Sequence, residues 1–406
     1  MRCWLVLPLL VLAGPVTAEP GLPEVSTVLG ALGEHPSVLA ARARVEAAQA
    51  DARALARGPH EVAFSGSYVR RSVEREGEYD EFDTQLSRAF RLPGKAGLDR
   101  EIGALGIKEA ENLAEDVRHQ AALRLMGYWI DWLGAAAESE IDAQAVANYE
   151  RALATIRRRV ELRDAAQLDA DQAAAALAGA RTLAEQSAGR AQLARARLQA
   201  QFPALPLPED APEIPEPAIP QQGLEFLRRA VIANSHEIAA ARARMQRMAS
   251  QAERLQRDRV ADPSVGIRLF SERGGAERGA GVLFSMPLGG GHRTALAESA
   301  LAVADAESSE ATLRNFEVNE TAASDVAEAQ YRFTAWQRAC EGVEAQLAAL
   351  AKLRRGHELG EIDLADLLIG ERLVHDAFRT EAANRTEAFR AITKLRIDSH
   401  ELWLAE

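Results

Sequence analysis

Hydrophobic and polar positions along the chain follow two periods, one helical and one extended. Residues 35–57 carry apolar side chains at three- and four-residue steps, which predicts an amphipathic helix. Residues 62–92 then alternate residue by residue around a charged turn, which predicts a hairpin with strands over 62–72 and 82–92. Each strand has the length, about 10 residues, that a tilted strand needs to cross a bilayer.

A much longer helical pattern follows the hairpin. Residues 97–162 contain no proline and repeat apolar residues at coiled-coil spacing. This predicts a helix on the order of 100 Å long. The pattern slips at Arg163, and a second helix is predicted over 168–202. Because the connection is short, the two helices are expected to fold back as an antiparallel hairpin.

The second half of the chain repeats the first. Its predicted elements are a helix over 223–260, strands over 263–271 and 280–288, and a helical hairpin over 293–402. A proline-rich segment, 203–222, separates the halves and is predicted to be an extended linker. The predicted organisation is a first repeat over 19–202, the linker, and a second repeat over 223–406. A duplication of this length favours similar structural units in pseudosymmetric positions.

The first 18 residues have the pattern of an export signal. Arg2 precedes an apolar run that is interrupted by two prolines, is too short to span a bilayer, and ends in small residues at Ala18. We expect cleavage after Ala18. Cleavage also removes Cys3, so the mature chain keeps only Cys340 and has no internal disulfide.

The strands are too few to close a barrel within one chain. No apolar run after the signal approaches the roughly 20 residues of a transmembrane helix, so a membrane segment would consist of strands. Open strand edges cannot face lipid, so closure needs several chains. Three copies would supply twelve strands, within the range of membrane barrels, although the sequence itself does not count the copies.

Charge and motif content exclude several functional classes. The formal net charge is -12, so the chain offers no basic surface for nucleic acid. No nucleophile elbow, P-loop or dinucleotide fingerprint occurs, and the eight histidines are scattered without metal-ligand spacing. We therefore expect no enzymatic activity, no cofactor and no metal site.

Three motifs at element boundaries carry a resemblance to a known family. They are Leu92-Pro93-Gly94-Lys95 after the first hairpin, Pro287-Leu288-Gly289-Gly290-Gly291-His292-Arg293 after the second, and the segment 359–372 around the last helical turn. With the order of elements, they make the mature chain similar to the TolC-like outer-membrane efflux family. The implied fold class is mainly α with β. It has two repeats, each with a β-hairpin and a long antiparallel coiled-coil hairpin, giving four strands per chain of a trimeric 12-stranded barrel.

The resemblance implies a homotrimeric passive duct in the outer membrane with a periplasmic extension. The implied cargo is metal ions or small toxic compounds. The implied partners are a periplasmic adaptor (membrane fusion) protein, an inner-membrane pump of the resistance-nodulation-division type, and outer-membrane lipid. The Pro-Gly-Lys exit is similar to that of the cobalt-zinc-cadmium branch, which implies heavy-metal export.

Two alternatives remain open. A periplasmic adaptor would also have a signal and a helical hairpin, but only one such hairpin, set between the halves of a lipoyl-like β domain. A coiled-coil scaffold would leave the four alternating strands unexplained. Retention in the membrane fraction separates the duct from both alternatives.

Acidic residues after the two helical turns are the implied periplasmic aperture. These are Asp366 and Asp363 in the second repeat and Asp169 in the first. Copies from symmetric chains would bring like charges together, which favours cations and raises carboxylate pKa. The alternative is that each residue only caps its helix.

The second helical turn is the implied adaptor contact, through Gly360, Glu361, Ile362 and Leu364. A plain hairpin closure explains the same composition. The first turn has Arg163 where the second has a glycine, so its geometry is an open question. On the strands, aromatic residues are predicted to face lipid or its interface: Phe64, Tyr68, Phe82, Phe90, Phe270 and Phe284. Tyr128, Trp129 and Trp132 lie mid-helix and are interpreted as core packing.

Overall fold

The computed structural model describes residues 19–404, so the predicted signal segment lies outside the described residues. The helices and strands, in chain order, are α1 Val25–Glu34, α2 Pro36–Arg57, β1 Val62–Val73, β2 Gly77–Ala89, α3 Lys95–Glu161, α4 Gln167–Gln201, α5 Leu224–Ala233, α6 His236–Arg257, β3 Ser264–Glu272, β4 Glu277–Ser285, α7 Gly291–Glu358 and α8 Leu364–Asp398. The predicted mainly α fold with a small antiparallel sheet and long helices is confirmed. Within the described residues, no helix combines the length and apolar character needed to cross a membrane.

The structure corrects the predicted elements at four places. The helix α1 was not predicted. The strand β2 spans Gly77–Ala89 rather than 82–92, and β4 spans Glu277–Ser285 rather than 280–288. The helix predicted over 223–260 is in fact two helices, because Ser235 caps α6 by accepting the Ile238 N–H on its Oγ at 3.2 Å. The first half has the same break before Pro36, a residue that fits the first position of a helix but not its interior.

The chain divides into two compact units, and each takes residues from both repeats. The sheet unit comprises Ser37–Arg118 and Ser235–Glu320. Of the described residues, the remainder form the helical unit: 19–36, His119–Asn234 and 321–404. The helices α3 and α7 contribute residues to both units.

The sheet unit holds one antiparallel sheet in the order β1-β2-β3-β4. The two hairpins join through β2 and β3, where Leu86 pairs with Ile267. The strands β1 and β4 form the two edges of this sheet. The sheet therefore needs both repeats before it can form.

The helical unit is built on two apolar clusters. One joins α3, α4 and the start of α8: Ala145, Tyr149, Leu153, Ile156, Ala170, Ala173, Leu177, Ala180 and Leu364. The other joins α5, α7 and α8: Leu224, Leu227, Val231, Ala322, Ala329, Ala391, Ile392 and Leu395. Trp129 and Trp132 are buried with ring centroids 5.4 Å apart in an edge-to-face arrangement, which agrees with their interpretation as core packing.

The start of the described chain is tied into the helical unit. The Arg396 guanidinium donates to both oxygens of Glu19, at 2.6 and 2.7 Å. These hydrogen bonds hold the pKa of the Glu19 carboxyl below its usual range. Trp129 Nε1 donates to the Gly21 carbonyl oxygen at 2.8 Å, which anchors the next turn of chain.

Candidate functional site

The strand register sorts the sheet into two chemically different faces. We call one the apolar face. Its residues form four rows, each read across β1, β2, β3 and β4 in that order. The rows are Val62, Arg88, Val265 and Phe284; Phe64, Leu86, Ile267 and Val282; Gly66, Thr84, Leu269 and Ala280; and Tyr68, Phe82, Ser271 and Arg278. We call the other the polar face; its rows are Ala63, Ser87, Gly266 and Leu283; Ser65, Gln85, Arg268 and Gly281; and Ser67, Asp83, Phe270 and Gly279. Successive strand residues point to opposite sides, so this sorting follows from the register alone.

Five of the six aromatic residues predicted to face lipid share the apolar face. Phe270 pairs with Asp83 and Gly279 on the polar face, which contradicts the expectation for that residue. Four of the five are on β1, β2 and β4, and Phe90 continues the same alternation directly after β2. Phe64 is 73% exposed and Phe284 is 69% exposed, far from the values of a protein core. An exposed apolar surface of this kind is typical of a membrane or protein contact.

The second helical turn ends α7 in a Schellman motif. Gly360, with φ of 75°, donates its N–H to the His357 carbonyl oxygen at 3.0 Å. Glu361 donates to the Gly356 carbonyl oxygen at 2.9 Å. These bonds satisfy carbonyls that a helix end otherwise leaves without partners, and they need a residue in the left-handed region.

The first helical turn has the same geometry although it lacks the glycine. Arg163 has φ of 62° and donates to the Val160 carbonyl oxygen at 2.9 Å. Asp164 donates to the Arg159 carbonyl oxygen at 2.8 Å. The open question about this turn is therefore answered: the two turns are equivalent, and arginine occupies the position that normally favours glycine.

The three acidic residues of the predicted aperture all lie at the start of a helix, Asp363 as the N-cap and the other two in the first turn. Asp363 precedes α8 and accepts the Asp366 N–H on Oδ1 at 2.8 Å. Asp169 accepts the Ala166 N–H on Oδ2 at 3.0 Å at the start of α4. Each turn thus keeps one half of a capping box, so Asp363 and Asp169 do cap their helices. Asp366 stands at the position equivalent to Asp169, and it is exposed.

The residues predicted to contact an adaptor differ in accessibility. Gly360 and Glu361 are exposed, while Ile362 is half-buried against Gly356. Leu364 is only 7% exposed and belongs to the apolar cluster of α3 and α4. The predicted contact through Leu364 is therefore not supported, because this side chain packs inside the chain's own helical unit.

Solved structures share this arrangement of helices and sheet. The outer-membrane channel OprN superposes with a TM-score of 0.79 at 20% identity, covering 93% of this chain and 90% of that chain. The outer membrane protein VceC from Vibrio cholerae gives 0.73 at 18% identity, covering 92% and 95%. The open state of the Neisseria gonorrhoeae MtrE outer membrane channel gives 0.70 at 14%, covering 94% and 89%. The chain has the TolC-like outer-membrane channel fold.

No protein-family model and no curated protein sequence matches the chain. The TolC-like fold is therefore established by structure, at sequence identities that reveal little about individual side chains. Within residues 19–404, no group of three or more His, Cys, Asp or Glu side chains is placed to hold a metal ion.

The Leu-Pro-Gly-Lys motif of this TolC-like chain has a role that the sequence alone did not reveal. Lys95 is 1% exposed, and its Nζ donates to Asp258 Oδ1 at 2.7 Å and to Asp262 Oδ1 at 2.8 Å. Leu92 donates its N–H to the same Asp262 oxygen at 3.0 Å. At Gly94, with φ of 87°, a Cβ would lie 2.2 Å from Arg257 Nη1. Leu92 and Lys95 therefore bond the first repeat to the second, and Gly94 leaves room for Arg257 of the second repeat.

The two equivalent turns give a direct test of backbone strain in this fold. Arg163→Gly is expected to raise the free energy of unfolding by up to about 1 kcal/mol, because a left-handed conformation costs a side chain roughly that much. Gly360→Ala is expected to lower it by about the same amount. Urea unfolding of the purified protein would measure both, and a destabilised Arg163→Gly variant would contradict the equivalence of the turns.

Proposed function

We propose that this chain is the subunit of a passive efflux duct in the Gram-negative outer membrane. The observation that carries the proposal is a sheet with an exposed apolar face, a polar opposite face, and two edge strands. In a closed barrel the apolar face meets lipid and the polar face lines a water path. The shared fold with proteins described as outer-membrane channels supports the same reading.

Closure of the sheet needs further chains, and we propose a homotrimer. Pairing β4 of one copy with β1 of the next would satisfy both edges of every sheet. Three copies would give a barrel of twelve strands, a size found among membrane barrels. Five aromatic residues, Phe64, Tyr68, Phe82, Phe90 and Phe284, would then contact lipid and its interface.

The helical turns are proposed to form the periplasmic end of the duct. Copies of Asp366, with Asp363 and Asp169 beside the same turns, would surround the aperture with carboxylates. Such a ring of carboxylates attracts cations, and a multivalent cation bound there blocks the channel. The exposed Gly360 and Glu361, with Ile362, are the proposed contact for a periplasmic adaptor.

The source of energy is proposed to lie outside this chain. A passive duct only provides a continuous polar path, so an inner-membrane pump of the resistance-nodulation-division type would drive transport through the adaptor. The cargo is proposed to be metal ions or small toxic compounds. Deletion of the gene that encodes this chain should then make cells more sensitive to the compounds that the pump exports. Growth tests with metal salts and with drugs would distinguish the two classes of cargo.

Planar bilayers test the duct directly. The purified full-length protein is expected to insert into lipid and produce stepwise conductance, and to remain with the membrane fraction of cells. Cross-linking is expected to end at a trimer. A protein that stays in the soluble fraction, or that gives no conductance, would refute the proposal.

Asp366→Asn tests the aperture. The variant is expected to form channels with weaker block by multivalent cations, because the neutral amide removes one carboxylate from each copy. The matched control is Asp376→Asn, an exposed aspartate further along the same helix, which should leave block unchanged. Equal block in the wild type and in Asp366→Asn would remove Asp366 from the aperture while leaving the duct itself intact.

A further inference from the structure

Two bulky residues on the polar face stand opposite glycines. Phe270 of β3 pairs with Gly279 of β4, and Arg268 pairs with Gly281. The Phe270 ring lies directly over its partner, since a Cβ added at Gly279 would be 2.2 Å from Cζ and 2.3 Å from Cε1. No substituted residue could occupy position 279 with the ring in this place.

The backbone does not require glycine at this position. Gly279 and Gly281 lie within β4, and neither has φ in the positive region that favours glycine. A glycine inside a strand weakens it, so its presence there often marks a close approach of other atoms. At position 279 the approaching group is the aromatic ring of Phe270.

Neighbouring side chains limit lateral movement of the Phe270 ring. Asp83 of β2 pairs with Phe270 on its other flank. Arg268 Nε donates to Asp83 Oδ2 at 2.6 Å, and the Arg268 guanidinium carbon is 5.4 Å from the centroid of the Phe270 ring. If the Phe270 ring is displaced from Gly279, the Arg268–Asp83 ion pair obstructs movement toward β2. The ring is therefore expected to move outward, away from the sheet.

We propose that Gly279 sets the width of the water path by letting Phe270 lie flat against the barrel wall. This inference rests on the proposed function, because the polar face lines the lumen only if the sheet closes. A side chain at position 279 lifts the ring toward the lumen. In a trimer one substitution lifts three rings at the same depth, so the effect on permeation is multiplied.

Single-channel conductance in planar bilayers tests this inference. Gly279→Ala is expected to lower the conductance, and Gly279→Ala combined with Phe270→Ala is expected to restore it to the wild-type value or above. The matched control is Gly66→Ala on the apolar face, where an added Cβ meets only ordinary contacts at 3.7 Å or more, and its conductance should be unchanged.

The possible outcomes separate this inference from the duct itself. Unchanged conductance in Gly279→Ala, or a loss that Phe270→Ala does not relieve, would overturn the role of Gly279 while leaving the duct standing. If Gly279→Ala does not reach the membrane, Phe270→Trp keeps both glycines and is expected to lower conductance through its larger ring; no change there would also overturn the inference. A wild-type protein without conductance would overturn the proposed function and this inference with it.

Discussion

Lys95→Met is expected to lower the free energy of unfolding by about 3 kcal/mol or more, the usual cost of removing one partner from a buried ion pair. The Lys95 ammonium is 1% exposed and holds two carboxylates, those of Asp258 and Asp262, together with the Val260 carbonyl oxygen at 2.7 Å. Methionine fills similar space but donates no hydrogen bond, so both carboxylates lose a partner. The remaining ion pair between Arg254 and Asp258 and the hydrogen bond from the Leu92 N–H to Asp262 limit the loss.

The free energy of unfolding that Lys95→Met loses should be smaller at low pH than at neutral pH. Burial disfavours the ionised carboxyls and raises their pKa. The hydrogen bonds and charges of Lys95 and Arg254 at Asp258, and the contacts of Lys95, the Leu92 N–H and His60 at Asp262, together outweigh burial and hold both pKa values below the usual range. A lowered folded-state pKa contributes stability above the unfolded value of about 3.9, and that stability disappears as the pH falls through the folded-state pKa. The difference in free energy of unfolding between the wild type and Lys95→Met should therefore narrow below about pH 4.

Urea unfolding of detergent-solubilised protein at neutral and acid pH would measure this difference. Lys108→Met is the matched control, since Lys108 is exposed on the same helix. It should unfold like the wild type at every pH. A Lys95→Met protein of wild-type stability at neutral pH would show that the buried cluster does not fasten the two repeats.

Asp142→Leu is expected to cost the helical unit a comparable amount, about 3 to 5 kcal/mol. The Asp142 side chain is fully buried in α3, and it interacts with His375 Nε2 at 2.8 Å and accepts from Arg379 Nη1 at 3.1 Å, both from α8. Arg379 also pairs with Glu138, which in turn pairs with Arg190 of α4 at 2.9 Å. Removing Asp142 therefore breaks the centre of a network that joins three helices.

A double substitution tests whether the stability lost in Asp142→Leu comes from the Arg379 charge that loses its Asp142 partner. Asp142→Leu combined with Arg379→Met should be less destabilising than Asp142→Leu alone. The single variant takes from the half-buried Arg379 guanidinium one of its two carboxylate partners, whereas in the double variant that guanidinium is absent and Glu138 keeps its pair with Arg190. The matched control is Asp131→Asn, which breaks the Asp131–Arg390 pair between the same two helices. Asp131 is 56% exposed, so this change should cost no more than about 1 kcal/mol. Similar losses for Asp131→Asn and Asp142→Leu in urea unfolding would contradict a special role for burial.

Sequence periodicity predicted the long helices well and the charged ends of strands poorly. The helices α3 and α7 lack internal prolines, so their coiled-coil spacing gave bounds within a few residues of those observed. The beginning of β2 was missed because Glu78, Asp80 and Glu81 place charges on both faces, which removes the alternation that marks a strand.

The two buried charge networks could not be predicted from the sequence. Lys95 and Asp258 are 163 positions apart, and His375 and Asp142 are 233 apart, so no local pattern connects them. Charges on a helical stretch look like a solvated face until tertiary packing covers them. The geometry of the turn at Arg163 could not be predicted either, because the missing glycine left it open; the backbone adopts the same geometry as at Gly360.

The pairing of β2 with β3 has a consequence for the order of folding. Gln85 lies beside Arg268 in the sheet, so the first hairpin must wait until most of the chain has been synthesised before it gains its neighbour. Such distant pairing makes folding slow and leaves apolar strand residues exposed to aggregation in the meantime. The newly synthesised chain is therefore expected to depend on a chaperone that holds unfolded polypeptide, and to accumulate as aggregates or proteolytic fragments where that chaperone is missing.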